Sequence, residues 1–197
     1  MSKLAALISV VHAGELLAAR VAERQARIAP QPWMQRALAL QARQERGHVR
    51  LAAMAMAITG GGCAATILSA LDARIARDLD NSNFGASIVG MHGVLEHLGD
   101  TLLDRLGRHA HPEGVVLHRL RRHVRAQEQH HVLLGARCLR ALDARITHET
   151  IAAYCEIGRT IARDAASLLD DVRIDGDDFW REVNTGLDAW CGNVPNA

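Results

Sequence analysis

The chain has 197 residues, of which 49% are hydrophobic and 3% aromatic, and its 23 basic and 22 acidic residues give a formal net charge of +1. This length suffices for one domain with a complete hydrophobic core, and the near balance of charge gives no reason to expect nucleic acid or a membrane as a partner. Aromatic residues are too few for a typical β-sandwich or barrel, while abundant alanine, leucine and arginine favour helix, so we predict an all-α fold.

The first two predicted helices form a hairpin. The first covers residues 4–28 and ends before Pro30. The second begins at Pro32, since proline suits the first position of a helix. It continues to residue 58 and stops at the triple glycine of residues 60–62.

The rest of the chain repeats this arrangement and then adds further helices. Residues 63–77 are predicted to be a shorter helical crossover, and residues 80–83 a turn that can cap the next helix. The remaining predicted helices cover residues 84–108, 113–142, 148–169 (capped by Thr147) and 177–190. No linker indicates a boundary, so we predict a single domain over residues 1–197.

The four cysteines form no C-x-x-C pair: Cys63, Cys138, Cys155 and Cys191. This spacing argues against a cysteine zinc site or a rubredoxin-type iron site. Nothing in it indicates a disulfide framework, and we expect a cytoplasmic protein. The apolar start of the chain is shorter than a membrane span needs and continues into a helical pattern, so we predict a core helix there rather than a signal peptide.

A sequence repeat relates the second and fourth long helices. Residues 44–51 and 127–134 both follow the pattern Q-E-x-x-H-V-x-L. The first and third long helices each carry one inward-facing glutamate with a histidine shortly before it: Glu15 with His12, and Glu96 with His92. The chain therefore contains two copies of one helical hairpin, joined by the crossover at residues 59–83.

The positions of two prolines place the four glutamates at one level. Pro30 lies midway between Glu15 and Glu45, and Pro112 lies midway between Glu96 and Glu128. In an antiparallel hairpin, both glutamates then lie roughly 22 Å from the turn, at a rise of 1.5 Å per residue. We therefore predict that all four carboxylates meet near the middle of the helices.

Each E-x-x-H motif puts a glutamate and a histidine on one helix face, because residues three apart are neighbours there: Glu45 with His48, and Glu128 with His131. Four carboxylates buried together repel one another. Two divalent cations would offset their charge, and neutral imidazoles would complete the coordination. Oxygen and nitrogen ligands suit iron or manganese.

This pattern resembles the ferritin-like di-iron carboxylate proteins, in which two helices give one glutamate each and two give E-x-x-H motifs. The resemblance covers about residues 4–142. It implies a ferritin-like four-helix bundle with a long crossover between its second and third helices, followed by additional C-terminal helices at about 147–190. It also implies two iron ions, with manganese as the alternative, and the ligands Glu15, Glu45, His48, Glu96, Glu128 and His131, of which Glu45 and Glu128 bridge the metals.

Several other side chains are candidates to support these ligands. Many oxygen-activating relatives have an acidic residue before each E-x-x-H glutamate, whereas this chain has Gln44 and Gln127, which accept a hydrogen bond but add no charge. His12, His92 and Asp100 are further candidates. The histidines at positions 97, 109, 111, 118 and 123 are expected to face solvent, and His130 to point away from the site. Small residues one turn from the ligands leave room for substrate or allow close helix contacts: Ala19, Ala52, Gly99 and Gly135.

The resemblance implies a non-haem di-iron oxidoreductase that activates dioxygen to oxidise a small organic substrate, with no catalytic residue beyond the metal ligands. By size and ligand spacing, the chain is similar to small oxygenases such as the aldehyde-deformylating and tRNA-hydroxylating enzymes. It lacks a reductase or rubredoxin motif, so we expect a separate electron donor. The alternatives are a ferritin- or rubrerythrin-like ferroxidase or peroxide scavenger, a manganese catalase, and a metal-free scaffold. The helix at 148–169 packs on the bundle or on a second subunit of a homodimer, or forms a pocket wall.

Overall fold

The computed structural model describes residues 3–60, 66–108, 114–142, 146–170 and 174–192, and within these ranges the protein is all-helical, without a β-strand. This confirms the predicted all-α class. The helices, in chain order, are α1 (Lys3–Ile28), α2 (Pro32–Thr59), α3 (Ser69–Asp80, preceded by a 3₁₀ turn at Thr66–Leu68), α4 (Phe84–Ile88), a π-helical segment (Val89–Leu95), α5 (Glu96–Arg108), α6 (Gly114–Ala141), α7 (His148–Asp170) and α8 (Gly176–Gly192).

The first hairpin has the predicted bounds, and local chemistry explains them. Gln31 precedes α2 in an extended conformation and Pro32 takes the first helical position, where its missing N–H is not needed. Gly60 ends α2 with a φ of 70°, a left-handed conformation that glycine adopts without strain. As a result, α1 packs along α2 for most of their length.

The run from residue 84 to 108 differs from the uniform α-helix that the sequence predicts. Its middle part, Val89–Leu95, is π-helical, and the Glu96 N–H donates to the Met91 carbonyl five residues earlier. Two glycines allow neighbouring aromatic rings to press against this segment. A Cβ atom on Gly90 would lie 2.3 Å from the Tyr154 ring, and one on Gly93 would lie 2.4 Å from Trp190. The π turn lies just before Glu96 and therefore sets the direction in which that side chain points.

The helices α5 and α6 form a second packed pair, α2 lies beside α6, and α7 and α8 cover the π-helical segment and α5. The large side chains that fill the core are fully buried, among them Leu38, Ile88, Met91, Tyr154 and Phe179. Thr147 caps α7 as predicted, accepting a hydrogen bond from the Thr150 N–H at 3.2 Å.

By length and hydropathy, the stretch Leu4–Ile28 would suffice to cross a membrane, and 56% of an apolar 18-residue window within it is buried inside the protein. Its apolar face packs on α2 in the manner of a core helix.

One expectation about the cysteines is wrong. Cys155, buried in α7, is disulfide-bonded, although its partner lies outside the side chains that the structure describes. Cys138 is free and buried. Sequence spacing did not indicate the bond because a disulfide depends on the distance between two cysteines in the folded chain.

Candidate metal centre

The six predicted ligands come together between α1, α2, α5 and α6. Their ligand atoms form two sets, and within each set every atom lies within 4.8 Å of the others. The first set contains Glu15, Glu45, His48 and Glu128, and the second contains Glu45, Glu96, Glu128 and His131. Each set can hold a metal ion. Glu45 and Glu128 belong to both sets, and they are the two glutamates that the resemblance assigns as bridging ligands.

Three carboxylates surround one ring nitrogen of His48. Its Nδ1 atom lies 3.3 Å from Glu15, 3.1 Å from Glu45 and 3.2 Å from Glu128. The imidazole is almost completely buried, as are the two shared carboxylates. Three carboxylate oxygens around one imidazole nitrogen are more acceptors than a single N–H can satisfy, whereas a cation placed among them would bind all four atoms.

His131 gives a more direct test of whether these residues fit a metal. Its Nδ1 atom is buried and lies 2.8 Å from a Glu45 oxygen, and 3.6 Å from both Glu96 and Glu128. None of these oxygens lies in a direction that forms a hydrogen bond with Nδ1. A buried nitrogen without a hydrogen-bond partner is costly, and a metal ion would satisfy it. The donor set, with nitrogen and oxygen atoms only, fits iron or manganese.

The two glutamines that precede the E-x-x-H glutamates connect the motifs to each other. Gln44 on α2 lies 3.0 Å from Nε2 of His131 on α6, and Gln127 on α6 lies 2.8 Å from Nε2 of His48 on α2. Each amide oxygen accepts the Nε2–H, so Nδ1 is the nitrogen that faces the carboxylates and can bind a metal once its proton leaves. The glutamines therefore fix both the tautomer and the ring orientation of the histidines.

Gln41 is a part of the site that the sequence analysis missed. Its side-chain NH₂ donates to Glu96 at 2.7 Å and to Glu45 at 3.2 Å, and its oxygen accepts from His92 at 2.9 Å. The available signal was its position one turn before Glu45, on the same helix face. His92, a predicted candidate, is thus connected to the site through Gln41, not through a ligand position.

The four carboxyl groups form two pairs, one with raised pKa values and one with lowered pKa values. Burial, together with the charges of Glu128 and Glu45, raises the pKa of Glu15 to about 8 and raises that of Glu96 well above its usual value. Burial also acts on Glu45 and Glu128, but hydrogen bonds to the histidines, and in Glu128 one to Glu96, outweigh it and lower their pKa values.

The pKa values of the two ligand histidines are raised, whereas those of Glu45 and Glu128 are lowered. Burial alone would lower the histidine pKa values, but the surrounding carboxylates outweigh it, so the pKa of His131 rises to about 12 and that of His48 is also raised. At neutral pH the metal-free site therefore holds protons on both histidines and on Glu15, and burial shifts the pKa of Glu96 in the same direction as that of Glu15. Metal binding has to displace these protons.

The remaining histidine and acidic candidates lie outside both ligand sets. His12 and Asp100 are half-buried. His97, predicted to face solvent, is instead half-buried, and its Nε2 donates to the Val183 carbonyl on α8 at 3.3 Å. That prediction was wrong because α8 covers α5, which the helical pattern of α5 alone does not reveal. His130 is exposed, as predicted, and the other histidines assigned to solvent lie outside the described side chains.

An apolar cavity of about 50 Å³ reaches the carboxylate side of the site. Glu15, Glu96 and Glu128 form its polar end. Its apolar wall comes from α1, the 3₁₀ turn, α5, α7 and α8, and includes Val10, Leu68, Leu98, Leu102, Ile161 and Phe179. Roughly 10–15 Å³ is enough for one water molecule, so this cavity has room for dioxygen beside the carboxylates.

The small residues one turn from the ligands differ in what surrounds them: one allows a close helix contact and another lines the cavity. A Cβ atom on Gly135 would lie 2.3 Å from the Cβ of His92, so this glycine allows a close helix contact. A Cβ atom on Gly99 would meet no other atom within 4 Å, and this residue lines the cavity. Ala19 and Ala52 are buried in the core.

No protein-family model matches this sequence, and no curated protein matches it either.

Proposed function

We propose that this protein is a ferritin-like di-iron carboxylate oxidoreductase that activates dioxygen to oxidise a small organic substrate. The observation that carries the proposal is the pair of overlapping ligand sets, which share Glu45 and Glu128. Two sets with shared carboxylates are the arrangement expected for two neighbouring ions, because each carboxylate has two oxygens. The supply of ligands from four different helices supports the four-helix bundle that the resemblance implies.

The role of each residue in the proposed site follows from its burial and its charge. Iron ions, when bound, supply the redox chemistry with dioxygen. Four glutamates offset the charge of two divalent ions, and the histidines add nitrogen ligands without adding charge. Gln44 and Gln127 orient the two imidazoles, and Gln41 holds Glu45 and Glu96. Five of the six ligands are buried and Glu15 is nearly so, which limits the access of bulk water to the reacting atoms.

The apolar cavity favours an oxygenase over an iron-storage protein. It ends on the carboxylates of Glu15, Glu96 and Glu128, and the rest of its wall is almost entirely aliphatic or aromatic. Such a wall suits dioxygen and an apolar part of an organic substrate. Monooxygenation of a C–H bond consumes one dioxygen, two electrons and two protons, and yields an alcohol and one water. The two electrons would come from a separate donor.

The experiment that tests this proposal is aerobic titration of the purified protein with Fe(II), followed by reduction and re-oxidation. The oxygenase proposal predicts that iron uptake saturates at about two ions per chain. It also predicts that repeated cycles of chemical reduction and air exposure consume dioxygen while the iron stays bound. Uptake far beyond two ions per chain, with growth of a mineral, would instead indicate storage.

A matched pair of variants separates the site from the rest of the protein. Glu128→Gln removes a shared ligand, whereas Glu156→Gln changes a carboxylate that is exposed on α7. We expect iron-dependent dioxygen consumption to be lost in the first variant and kept in the second. Equal activity in both would contradict the proposed site.

A further inference from the structure

The near-zero net charge of the chain conceals a strong separation of charge. Helices α2 and α6 together carry ten of the 23 Lys and Arg residues but two of the 22 Asp and Glu residues. Those two acids are Glu45 and Glu128, which are buried in the metal centre. The six of these arginines whose side chains the structure describes are all exposed, so the described outer surface of the α2–α6 pair is basic, whereas the rest of the chain is acidic on balance.

The structure shows how this surface is built. Six described arginines on these helices are exposed, and one of them, Arg46, forms an ion pair with Glu23 at 3.6 Å. Four large apolar side chains are also exposed on α2 and α6, of which Ile58 lies at the end of α2. We call the following set the basic face: Arg36, Arg43, Arg50, Arg137 and Arg140, with Leu40, Met54 and Leu133. None of these five arginines forms an ion pair with a residue that the structure describes. Elsewhere, exposed arginines are commonly paired, as Arg20 is with Asp72 at 2.7 Å.

The basic face lies on the histidine side of the metal centre. Gln44 and Gln127 come from the same two helices, are only partly buried, and contact the outer nitrogens of His131 and His48. No residue of α2 lines the cavity, which reaches the site from the α1 and α5 side. The basic face is thus separate from the substrate route.

We propose that the basic face docks an acidic electron-carrier protein. This inference rests on the proposed function, because monooxygenation needs two electrons that this chain does not supply. Two encounters with a one-electron carrier would provide them, each leaving the carrier oxidised by one electron. Charge complementarity between arginines and an acidic partner supports association and steers it. The exposed apolar side chains fit a protein contact, in which arginine and apolar residues occur together.

Two other occupants fit the basic face less well. A second copy of the chain, meeting it face to face, would place arginines against arginines. Single-stranded nucleic acid is commonly bound by exposed aromatic rings that stack on bases. Among tryptophan, tyrosine and phenylalanine, the described side chains of α2 and α6 include only Trp33, which is half-buried, and the Arg137 guanidinium covers it at 4.4 Å.

The test measures binding rather than turnover, with a plant-type [2Fe–2S] ferredoxin as the acidic probe. Calorimetry at low and at physiological salt compares the wild type with Arg43→Glu/Arg137→Glu. The control, Arg77→Glu/Arg163→Glu, makes the same change in net charge at exposed arginines on α3 and α7, neither of which forms an ion pair with a described residue. We expect affinity to fall at least about tenfold in the first variant and less than about threefold in the control, and to weaken with salt.

Three other outcomes would each overturn the proposal that the basic face docks an acidic electron carrier. Equal losses in both double variants would show a general charge effect and no docking site. Tighter binding of a transfer RNA than of ferredoxin, with the same dependence on Arg43 and Arg137, would assign the face to nucleic acid. A change of oligomeric mass in the first variant would assign it to a second copy. Calorimetry is carried out with and without bound iron, and the iron content of each variant is measured separately. Loss of ferredoxin binding is thereby distinguished from loss of the metal site.

Discussion

Gln44 on α2 accepts a hydrogen bond at 3.0 Å from Nε2 of His131 on α6, although the two residues are 87 positions apart. Gln127 and His48 form the reciprocal pair at 2.8 Å. The residue before each E-x-x-H glutamate thus orients the histidine of the other motif. The two motifs therefore form one unit, and damage to either glutamine should affect the opposite helix's ligand.

Replacing Gln44 by alanine is expected to weaken metal binding roughly 10–100-fold, the usual effect of losing a residue that orients a metal ligand. Without the amide oxygen, His131 can adopt the wrong tautomer or rotate away. Gln129→Ala is the control, because this glutamine is exposed on α6. Competition with a chelator measures both affinities, and equal affinities in the two variants would contradict an orienting role for Gln44.

Metal binding is expected to release at least about two protons per chain at pH 7 when both sets fill. The metal-free site holds protons on Glu15, whose pKa burial raises to about 8, and on His48 and His131, whose pKa values the carboxylates raise against the effect of burial. Burial shifts the pKa of Glu96 in the same direction as that of Glu15. Protons on these groups must leave before the groups can act as ligands. Titration with Mn(II) in weakly buffered solution under argon measures the release. Release of fewer than about two protons would contradict this charge distribution.

The stability of the metal-free protein is expected to fall as the pH rises from 7 to 9. The pKa of His131 is raised to about 12 in the folded state, far above the unfolded value near 6.5, so its stabilising contribution is complete below pH 6.5 and is lost as the pH rises toward 12. His48 acts in the same direction. The expected slope is roughly 1.4 kcal/mol per pH unit for each proton that folding retains.

Urea unfolding with excess chelator at pH 7, 8 and 9 measures this slope. The metal-loaded protein is the control, because its ligands hold no protons and its stability should not fall over the same range. A metal-free protein whose free energy of unfolding stays constant or rises with pH would contradict the proton assignment.

Two glycines near the site are expected to respond oppositely to alanine. The Cβ of Gly135→Ala would lie 2.3 Å from the Cβ of His92, so overpacking should destabilise the fold by about 1–3 kcal/mol. The Cβ of Gly99→Ala would meet no atom within 4 Å, so higher helix propensity should stabilise the protein by up to about 1 kcal/mol. Urea unfolding measures both, and a change of the same sign in the two variants would contradict the packing at Gly135.

The sequence predicted which side chains come together where local geometry determines their positions. The spacing of Glu45 and His48 places both on one helix face, and the midpoint positions of Pro30 and Pro112 place four glutamates at one level. The structure brings all six predicted ligands together. These predictions needed only the rise and the periodicity of an α-helix.

Features that depend on packing between distant helices were not predictable in this way. The π turn before Glu96 depends on rings from α7 and α8 that press against Gly90 and Gly93. The burial of His97 depends on the position of α8. The basic face was also missed, because net charge does not report how charges are distributed over a folded surface. Glutamine at position 41 has no charge or motif to single it out.

The central claim is that Glu45 and Glu128 are shared by two metal ions. The most direct test is iron content per chain after anaerobic Fe(II) loading and desalting, in the wild type and in Glu15→Gln and Glu45→Gln. Glu15 belongs to one ligand set and Glu45 to both. The account predicts about two ions in the wild type, about one in Glu15→Gln and fewer than one in Glu45→Gln. Less than about half an ion in the wild type, with no binding of manganese either, would contradict it.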